Sequence, residues 1–320
     1  MIISVLIPTY RRPNDLRRCL EALGKQTRMP DEVLVVFRSE DAETSQILDR
    51  FSAMRSLRKV VVTEPGVVAA LNKGLEVVSG EIIAFLDDDT APHPDWLARI
   101  EVHYSCDPRI GAVGGRDYLY RNGQLADEQK LRVGVVQWFG RPIGNHHAGF
   151  GKAREVEVLK GANMSFRREA ITGLSFDRRL RGGGAQVHND MGFCLSVRRR
   201  GWRVIYDPLV SVDHFWGTRH DIDQRDRFNA VAMTDAIHNE TLVLLDYLSP
   251  GRRITFLMWA VLIGHRVGPG PVQWLRFWIK GDREISAKLR AAFKGRLEGY
   301  KTWSRSRMPR PNVPDPHQLR

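Results

Sequence analysis

The most constraining feature of this sequence is the stretch GEIIAFLDDD at residues 80–89, where an apolar run ends in three consecutive carboxylates. Residues 82–86 show no alternation of apolar and polar side chains, which predicts a strand buried on both faces, as in parallel sheets. Open α/β sheets carry their chemistry at the carboxyl ends of such strands. Adjacent carboxylates repel each other, and Mg²⁺ or Mn²⁺ relieves this repulsion by binding their oxygens. An acidic turn that caps the next helix is the alternative.

Strands and helices alternate up to Gly115, and this order predicts a mostly parallel sheet flanked by helices, with right-handed crossovers. The predicted strands cover residues 2–7, 32–37, 59–63, 82–86 and 110–114, and the predicted helices begin near residues 13, 43, 67 and 94. Residues 116–160 mix glycine, arginine and aromatic residues without a period, as long functional loops do. The later predicted elements are a helix over 190–200, a short strand over 202–206 and a basic helical segment from residue 221.

The net charge of +12, from 49 Lys and Arg against 37 Asp and Glu, favours anionic partners such as nucleotide phosphates, nucleic acid or acidic lipid. The basic residues are spread along the chain without a nucleic-acid-binding motif, so we expect no nucleic-acid partner. Cys19, Cys106 and Cys194 show neither metal-ligand nor disulfide spacing and are expected to be core thiols in a reducing compartment. Neither a signal peptide nor a membrane-length apolar run is predicted, which indicates a cytoplasmic protein.

Four motifs occur in a recognisable order and spacing. They are SVLIPTY at 4–10, LNKGL at 71–75 with the 80–89 stretch, GANMSFRR at 161–168, and Asn189-Asp190 followed by RRGWRVIYDP at 199–208 and Val212-Asp213-His214. Together they cover roughly residues 2–220 and resemble the family 2 glycosyltransferases, which are inverting enzymes that use nucleotide sugars. The resemblance implies the α/β GT-A fold, a Rossmann-like and mostly parallel sheet flanked by helices, here with a helical C-terminal extension.

The resemblance assigns a divalent cation, Mn²⁺ or Mg²⁺, to the acidic triplet. It implies that Asp89 is the main metal ligand and that Asp87 contacts the nucleotide ribose. Asp88 either belongs to the nucleotide site or only forms the turn. Such a cation neutralises the charge that develops on a leaving diphosphate. His214 matches a histidine that the family often places near the metal or the diphosphate, although a histidine with apolar neighbours can also be purely structural.

The resemblance also implies a set of nucleotide-binding residues, which are Pro8, Thr9, Tyr10, Arg12, Arg38, Asp41, Asn72, Asp87 and Asp88. The family usually places a base-reading aspartate at the end of the second strand. Here Arg38 stands first and the carboxylates of Glu40 and Asp41 follow, so the identity of the nucleotide stays open. Thr9 could instead cap a helix, and Arg12 could be a solvated charge.

Asp190 matches the family's catalytic base, which takes the proton of the acceptor hydroxyl in an inverting displacement. The alternative is that Asn189 or Asp190 caps a helix. Asn189 departs from the family, where glutamate usually precedes the base, so the group that orients Asp190 stays open. Gly161, Asn163 and Asn189 are expected on the acceptor or donor-sugar side.

His146 and His147 lie in a glycine-flanked part of the irregular segment. Adjacent histidines point in different directions on most backbones, so a shared metal ion is not expected. We expect them in a loop on the acceptor or donor-sugar side, because they closely precede the acceptor-side motif. A surface loop without function is the alternative.

Residues 254–263 are strongly apolar but too short to span a membrane. Aromatic residues at 274, 277 and 278 then alternate with the basic residues Arg276 and Lys280. Aromatic and basic side chains together suit the surface of an anionic bilayer, which predicts peripheral attachment to the cytoplasmic face of a membrane. The alternative is a helical lid packed on the catalytic domain, and we expect a mixture of both.

The sequence therefore predicts a metal-assisted inverting glycosyltransferase that moves one sugar from a nucleotide-diphosphate sugar to a hydroxyl of a glycan or lipid-linked acceptor. The predicted parts are 1–115 for the nucleotide sugar, 116–220 for acceptor binding and catalysis, 221–307 as a helical extension and 308–320 as a flexible tail. One alternative is a catalytically silent binding or scaffold protein at a membrane surface. Another is a sugar nucleotidyltransferase, which is disfavoured because the turn after the first strand has no glycine-rich phosphate loop.

Overall fold

The computed structural model describes residues 1–126, 128–217 and 227–307, over which an α/β domain is followed by a helical C-terminal part. The N-terminal elements are β1 (Ile3–Pro8), α1 (Pro13–Leu23), β2 (Glu32–Arg38), α2 (Ala42–Arg50), β3 (Leu57–Val62), α3 (Val67–Val77), β4 (Ile82–Leu86), β5 (Thr90–Pro92), α4 (Trp96–Cys106) and β6 (Ile110–Arg121). The predicted alternation of strands and helices is confirmed.

Short elements follow β6. They are β7 (Gln124–Leu125), β8 (Val135–Val136), β9 (Pro142–Ile143), a 3-10 turn (His146–Ala148), β10 (Arg154–Glu155), β11 (Asn163–Arg167) and α5 (Arg168–Ile171). The remaining elements are α6 (Asn189–Arg199), β12 (Arg203–Phe215), α7 (Ala230–Tyr247), α8 (Pro250–Leu262), α9 (Pro271–Ile279) and α10 (Ile285–Arg307). The expected flexible tail at 308–320 and the expected domain boundary at 220 lie outside the described residues.

One sheet organises the domain, with the strand order β10-β12-β6-β11-β4-β1-β2-β3. Strands β4, β1, β2 and β3 are parallel, as are β6 and β12, whereas β11 runs antiparallel between β4 and β6. Leu6 of β1 stands opposite Phe85 of β4, so these two strands end at the same edge of the sheet. The residues that follow them, Thr9 and the acidic triplet, are therefore brought side by side.

Strand β4 is buried on both faces, as the sequence predicts. Ile83 and Phe85 belong to an apolar cluster that includes side chains of α3, α6 and α7. Ile82, Ala84 and Leu86 belong to a second cluster on the other face, together with side chains of α1 and α4. Because both faces are covered, the carboxyl end of β4 is held rigidly where the acidic triplet begins.

Strands β6 and β12 are longer than predicted, with 12 and 13 residues. The sequence prediction ended the first strand at Gly114 because the residues after Gly115 show no clean period. Here the glycines permit close packing: a Cβ on Gly115 would lie 1.8 Å from the carbonyl oxygen of Val210. The ladder between β6 and β12 shifts register between Asp207 and Val212, and both strands then continue past the cleft.

The C-terminal helices pack on the domain through α7, most of whose side chains are buried. Helices α7 and α10 approach closely at Gly295 and Gly299, where a Cβ would lie 2.5 Å and 2.7 Å from backbone carbonyl oxygens of α7. Among the described helices, none combines the length and the apolar character needed to cross a membrane. Cys19 and Cys194 are buried as expected, whereas Cys106 is exposed at the end of α4, which corrects that prediction.

Candidate active site

A cleft of about 920 Å³ opens at the carboxyl ends of β1 and β4. Twelve of the predicted site residues line it, and they are Pro8, Thr9, Tyr10, Arg12, Arg38, Asp87, Asp89, His147, Gly161, Asn189, Asp190 and His214. The other five, Asp41, Asn72, Asp88, His146 and Asn163, are not among the lining residues. The cleft thus brings together residues as far apart in the sequence as Pro8 and His214.

Asp87, Asp89 and His214 form the group with metal-ligand potential in the cleft. One ligand atom from each lies within 4.8 Å of the other two. Asp89 and His214 are buried and Asp87 is half-buried. The two carboxylates and one imidazole suit Mn²⁺, and their oxygens suit Mg²⁺. Asp87, which the resemblance assigns to the ribose, therefore lies close enough to share a cation with Asp89.

Arg12 carries the positive charge next to the acidic triplet. Its guanidinium lies 2.7 Å from Asp88 Oδ1 and 3.1 Å from Asp89 Oδ2. Thr9 Oγ1 donates a hydrogen bond of 2.6 Å to the other oxygen of Asp88. Asp88 is fully buried, so it anchors the turn after β1 to the turn after β4 rather than facing the cleft.

Burial and the mutual repulsion of the acidic triplet raise the pKa values of its first two carboxylates. Burial raises the pKa of Asp88 to about 7, with Arg12 opposing the shift and Asp89 adding to it. Burial and the Asp89 carboxylate likewise raise the pKa of Asp87. Burial lowers the pKa of Arg12, but the Asp88 and Asp89 carboxylates outweigh it and the net shift is upward. A cation bound here would relieve this repulsion.

Asp117 of β6 and Lys160 hold the His214 imidazole in place, and sequence reasoning missed both. His214 Nδ1 lies 3.1 Å from Asp117 Oδ2, and the Lys160 ammonium pairs with the same carboxylate. A proton shared between Nδ1 and Asp117 leaves Nε2 directed at Asp89 Oδ1, 3.4 Å away. Burial acts to raise the pKa of Asp117. Lys160 and His214 act in the opposite direction and outweigh burial, so the net shift of this pKa is downward. The position of Lys160, immediately before the GANMSFRR motif, is the sequence signal that could have identified it.

Asp190 lies in the first turn of α6 with its carboxylate in the cleft. The backbone N–H of Gly161 donates to Oδ2 over 3.1 Å, and that of Met191 donates to Oδ1 over 2.8 Å. The cap residue that precedes α6 is His188, whose side chain makes no capping bond and whose φ is 72°. Asp190 is therefore not the helix cap, and its carboxylate is fixed by two backbone donors while remaining at the cleft wall.

The segment 183–188 forms a second cleft wall that the sequence analysis did not single out, and all of its residues except Gln186 line the cleft. The backbone N–H of Val67, at the start of α3, donates to Gly184 O over 2.8 Å, and that of Val68 donates to Gln186 Oε1 over 3.0 Å. Asn189 Nδ2 donates to the carbonyls of Ala185 and Gln186. Asn189 thus stabilises this wall through hydrogen bonds to its backbone. The sequence analysis expected Asn189 on the acceptor or donor-sugar side and did not predict this role.

Asp41 and Asn72 have their polar atoms engaged outside the cleft. Asp41 caps α2 by accepting from Thr44 N over 3.2 Å, and it also accepts from Arg11 N over 2.6 Å. Asn72 exchanges two hydrogen bonds with the backbone of Phe176, of 2.9 Å and 2.8 Å. Both side chains join separate segments of the chain, so their geometry favours a packing role over the expected nucleotide contact.

His146 and Asn163 are likewise buried and bonded away from the cleft. His146 Nε2 lies 2.9 Å from Val158 O, whereas the neighbouring His147 lines the cleft, so the two rings point in different directions as expected. Asn163 Oδ1 accepts from Trp96 Nε1 over 2.9 Å, and its amide nitrogen donates to Val210 O over 2.8 Å. Of the histidine pair, only His147 can reach a ligand in the cleft directly.

Arg38 and Tyr10 form the end of the cleft next to β2. The Arg38 guanidinium lies 5.2 Å from the Tyr10 ring centroid and is also paired with Glu40. Of the two carboxylates that follow β2, Asp41 caps α2 and Glu40 is the one paired with Arg38. The polar groups offered to a base from β2 are therefore hydrogen-bond donors of Arg38.

Comparisons with known proteins agree with this geometry. The model of the family described as "Glycosyl transferase family 2" matches residues 4–174. The glucosyl-dolichyl phosphate glucuronosyltransferase of Haloferax volcanii is 27% identical over 231 residues, covering 67% of this chain and 69% of that protein. Glycosyltransferase AglE of the same organism is 36% identical over 132 residues, covering 40% and 43%.

Solved structures show the same fold. The mannosyltransferase PcManGT from Pyrobaculum calidifontis, in complex with GDP-Man and Mn²⁺, matches with a TM-score of 0.54 and 16% identity, covering 96% of this chain and 88% of that chain. TarS residues 1–349 from S. aureus, in complex with UDP, matches with a TM-score of 0.57 and 14% identity, covering 98% and 95%. The chain described here belongs to glycosyl transferase family 2, with the GT-A fold, and is a glycosyltransferase.

Proposed function

We propose that this protein transfers one sugar, with inversion, from a nucleotide-diphosphate sugar to a hydroxyl of a glycan or lipid-linked acceptor. The observation that carries the proposal is the shared cleft of the Asp87–Asp89–His214 group and the Asp190 carboxylate. The first group suits a leaving diphosphate, and the second suits an incoming hydroxyl. An inverting transfer needs both groups in one cleft, because the diphosphate of the donor leaves from one face of the anomeric carbon while the acceptor hydroxyl attacks from the opposite face.

Asp87, Asp89 and His214 would hold a Mn²⁺ or Mg²⁺ ion. When bound, the ion supplies Lewis-acid stabilisation of the charge on the departing diphosphate. Arg12 and Lys160 also line the cleft and add positive charge on the same side. Asp117 orients His214 for this role through the 3.1 Å contact at Nδ1.

The nucleotide would lie against the ends of β1 and β2. Pro8, Thr9 and Tyr10 form the floor there, and Arg38 offers its guanidinium to the base or a phosphate. Asp88 would act indirectly, because its buried carboxylate holds Thr9 and Arg12 in position. These assignments make residues 1–115 the nucleotide-sugar half and residues 116–220 the acceptor and catalytic half.

Asp190 is proposed as the general base. Its carboxylate accepts the proton of the acceptor hydroxyl, while the hydroxyl oxygen forms the new bond to the anomeric carbon and the bond to the diphosphate oxygen breaks. The nucleoside diphosphate leaves with that electron pair. The backbone N–H groups of Gly161 and Met191 hold the carboxylate in place for this step.

The acceptor would enter beside His147, Gly161 and Asn189, which line the cleft near Asp190. A lipid-linked acceptor is supported by the name of the Haloferax volcanii relative, a glucosyl-dolichyl phosphate glucuronosyltransferase. A lipid-linked acceptor is also consistent with a cytoplasmic protein that attaches peripherally to an anionic membrane.

The test begins with thermal unfolding in the presence of UDP, GDP and their sugars, each with and without Mn²⁺. We expect one nucleotide to raise Tm only with Mn²⁺, and we expect Asp89→Ala to remove that effect. Turnover of the stabilising donor is then compared between wild type, Asp190→Asn and the exposed control Glu76→Gln. Donor binding with no turnover by wild type would indicate the catalytically silent binding protein instead, and full activity of Asp190→Asn would remove Asp190 as the base.

A further inference from the structure

Helix α9 is apolar, yet it buries little of its surface. Its sequence, PVQWLRFWI, contains only two polar side chains, and although all nine residues are described, none of them is buried. Val272, Leu275 and Ile279 recur at helical spacing and are exposed, with Ile279 at 71%. Trp278 stands next to them and is 59% exposed. An ordinary surface helix turns such a stripe toward the core, so this one is available to a partner.

Helix α8 adds a second stripe. Ile254, Met258 and Leu262 are spaced four residues apart, which places them on one face, and all three are exposed. Phe256 and Ala260, on another face of the same helix, are buried. These exposed apolar residues of α8 and α9 are called the α8–α9 surface below. They do not take part in the packing of the fold, which uses other faces of α8 such as that of Phe256 and Ala260.

The charge around the α8–α9 surface is positive. Residues 248–281 contain no aspartate or glutamate. Arg266 and Arg276 are exposed, and their guanidinium groups lie 6.0 Å and 5.8 Å from the Phe277 ring centroid. Lys280 is also exposed, while the first acid beyond this stretch, Asp282, is paired with Lys288 over 3.0 Å. Apolar stripes with a basic margin complement the acyl and headgroup layers of an anionic bilayer.

We propose that the α8–α9 surface docks the protein on an anionic lipid bilayer, with its apolar stripes in the interface and Arg266, Arg276 and Lys280 at the headgroups. A second copy of the chain fits less well, because a symmetric contact would bring the same basic margins together. This proposal rests on the proposed function, since a lipid-linked acceptor would then be presented in the plane where the enzyme sits.

The β8–β9 hairpin connects this surface to the cleft. Arg252 of α8 donates to Trp138 O in the hairpin turn over 3.0 Å, and a Cβ on Gly140 would lie 2.6 Å from the Phe256 ring. The chain then leads from the hairpin to His147 at the cleft. The segment that contacts the docking helix thus continues directly into the proposed acceptor side.

The test is co-sedimentation of the full chain with phosphatidylcholine vesicles that contain or lack phosphatidylglycerol, at low and high salt. We expect wild type to bind the anionic vesicles and to be released by salt. Trp278→Ser/Ile279→Ser and Arg276→Glu/Lys280→Glu should each weaken binding about tenfold or more. The control Val102→Ser/Leu131→Ser changes residues that are 60% and 72% exposed elsewhere, and it should bind as wild type does.

Two results would overturn the proposal: equal binding by wild type and the Trp278→Ser/Ile279→Ser variant, or a wild-type dimer in analytical ultracentrifugation that this variant converts to a monomer. The Mn²⁺-dependent Tm shift with UDP or GDP is measured on the same samples and should be unchanged in every variant. Vesicle binding without any nucleotide response would reject the proposed transfer and keep the docking surface. A nucleotide response without vesicle binding would reject the docking surface alone.

Discussion

Two buried carboxylates, Asp88 after β4 and Glu240 in α7, have pKa values that move in opposite directions. Burial raises the pKa of Asp88 to about 7, because Arg12 compensates it only partly and Asp89 adds repulsion. Burial also acts to raise the pKa of Glu240, yet His265, His188 and Arg296 around it, with His265 foremost, lower it to about 2. The local balance of charge, rather than burial, therefore decides the sign of each shift.

Glu240 is fully supplied with partners from the chain itself. His265 Nε2 lies 3.2 Å from Oε2, and the N–H of Gly268 donates to His265 Nδ1, which places the ring proton on the side of Glu240. His188, which directly precedes Asn189-Asp190, has its Nε2 3.9 Å from Glu240 Oε2. Glu240 thus ties the C-terminal helices to the cleft wall, whereas the proposed cation would relieve the repulsion within the acidic triplet.

The largest effect is expected at the acidic triplet. Asp89→Asn removes one of the two carboxylates that would hold the cation, so the diphosphate charge is less well stabilised as it develops. We expect kcat/KM for sugar transfer to fall on the order of 10³-fold, and the Mn²⁺-induced rise in Tm to disappear. Steady-state kinetics and thermal unfolding with and without Mn²⁺ measure the two effects.

The matched control for this comparison is Glu240→Gln, which removes a buried charge outside the proposed metal site. It should retain the Mn²⁺-induced rise in Tm even though its Tm starts lower. If both variants lost the Mn²⁺ response equally, the cation would be acting on overall folding and the contrast between the two carboxylates would not hold.

The second effect concerns stability. Glu240→Gln leaves the histidines and Arg296 around a neutral amide, and the lowering of the Glu240 pKa from 4.5 to about 2 corresponds to about 3 kcal/mol. We expect the free energy of unfolding at pH 7 to fall by about this amount, as measured by urea denaturation. A change below about 0.5 kcal/mol would show that the ion pairs of Glu240 contribute little net stability.

The same variant makes a prediction about pH. The pKa of Glu240 is lower in the folded chain than its ordinary value, so its stabilisation is complete above pH 4.5 and is lost as the pH falls towards 2. The difference in unfolding free energy between wild type and Glu240→Gln should therefore shrink as the pH falls from 4.5 towards 2. A difference that grows over this range would contradict the assigned direction of the shift.

The sequence was sufficient for most elements of the first half, because they have clear local signals, but the short strand β5 (Thr90–Pro92) was not predicted. The apolar run of β4 and the helical spacing in α1 and α3 need no knowledge of distant residues. The continuation of β6 and β12 could not be read in this way. The glycines of β6 resemble a turn until the carbonyl of Val210, almost a hundred residues later, is known to lie against them.

The residues of the candidate site divide in the same way, into those with a local sequence signal and those recognised only by their contacts in the fold. Asp87, Asp89, Asp190 and His214 were found from motifs, and they share one cleft. Lys160 and Asp117 were missed because their importance comes only from their contact with His214. Asn72 carried a motif signal, but its side chain is bonded to Phe176, on a segment whose position the sequence does not indicate.

The smallest effect is expected at the ion pair between Glu298 of α10 and Arg181, which also links the C-terminal helices to the cleft-wall segment. Unlike the Glu240 carboxylate, this pair is partly open to water, with side-chain exposures of 26% for Glu298 and 42% for Arg181. Water screens the charges and the long side chains lose entropy when paired, so Glu298→Gln should lower the free energy of unfolding by less than about 1 kcal/mol. Urea denaturation at low and high salt tests this, because the small loss should vanish at high salt while the loss for Glu240→Gln should persist. If the two variants lost equal unfolding free energy, the stabilisation by Glu240 would come from its link between the C-terminal helices and the segment before α6. Its burial among matched charges would then not be the cause.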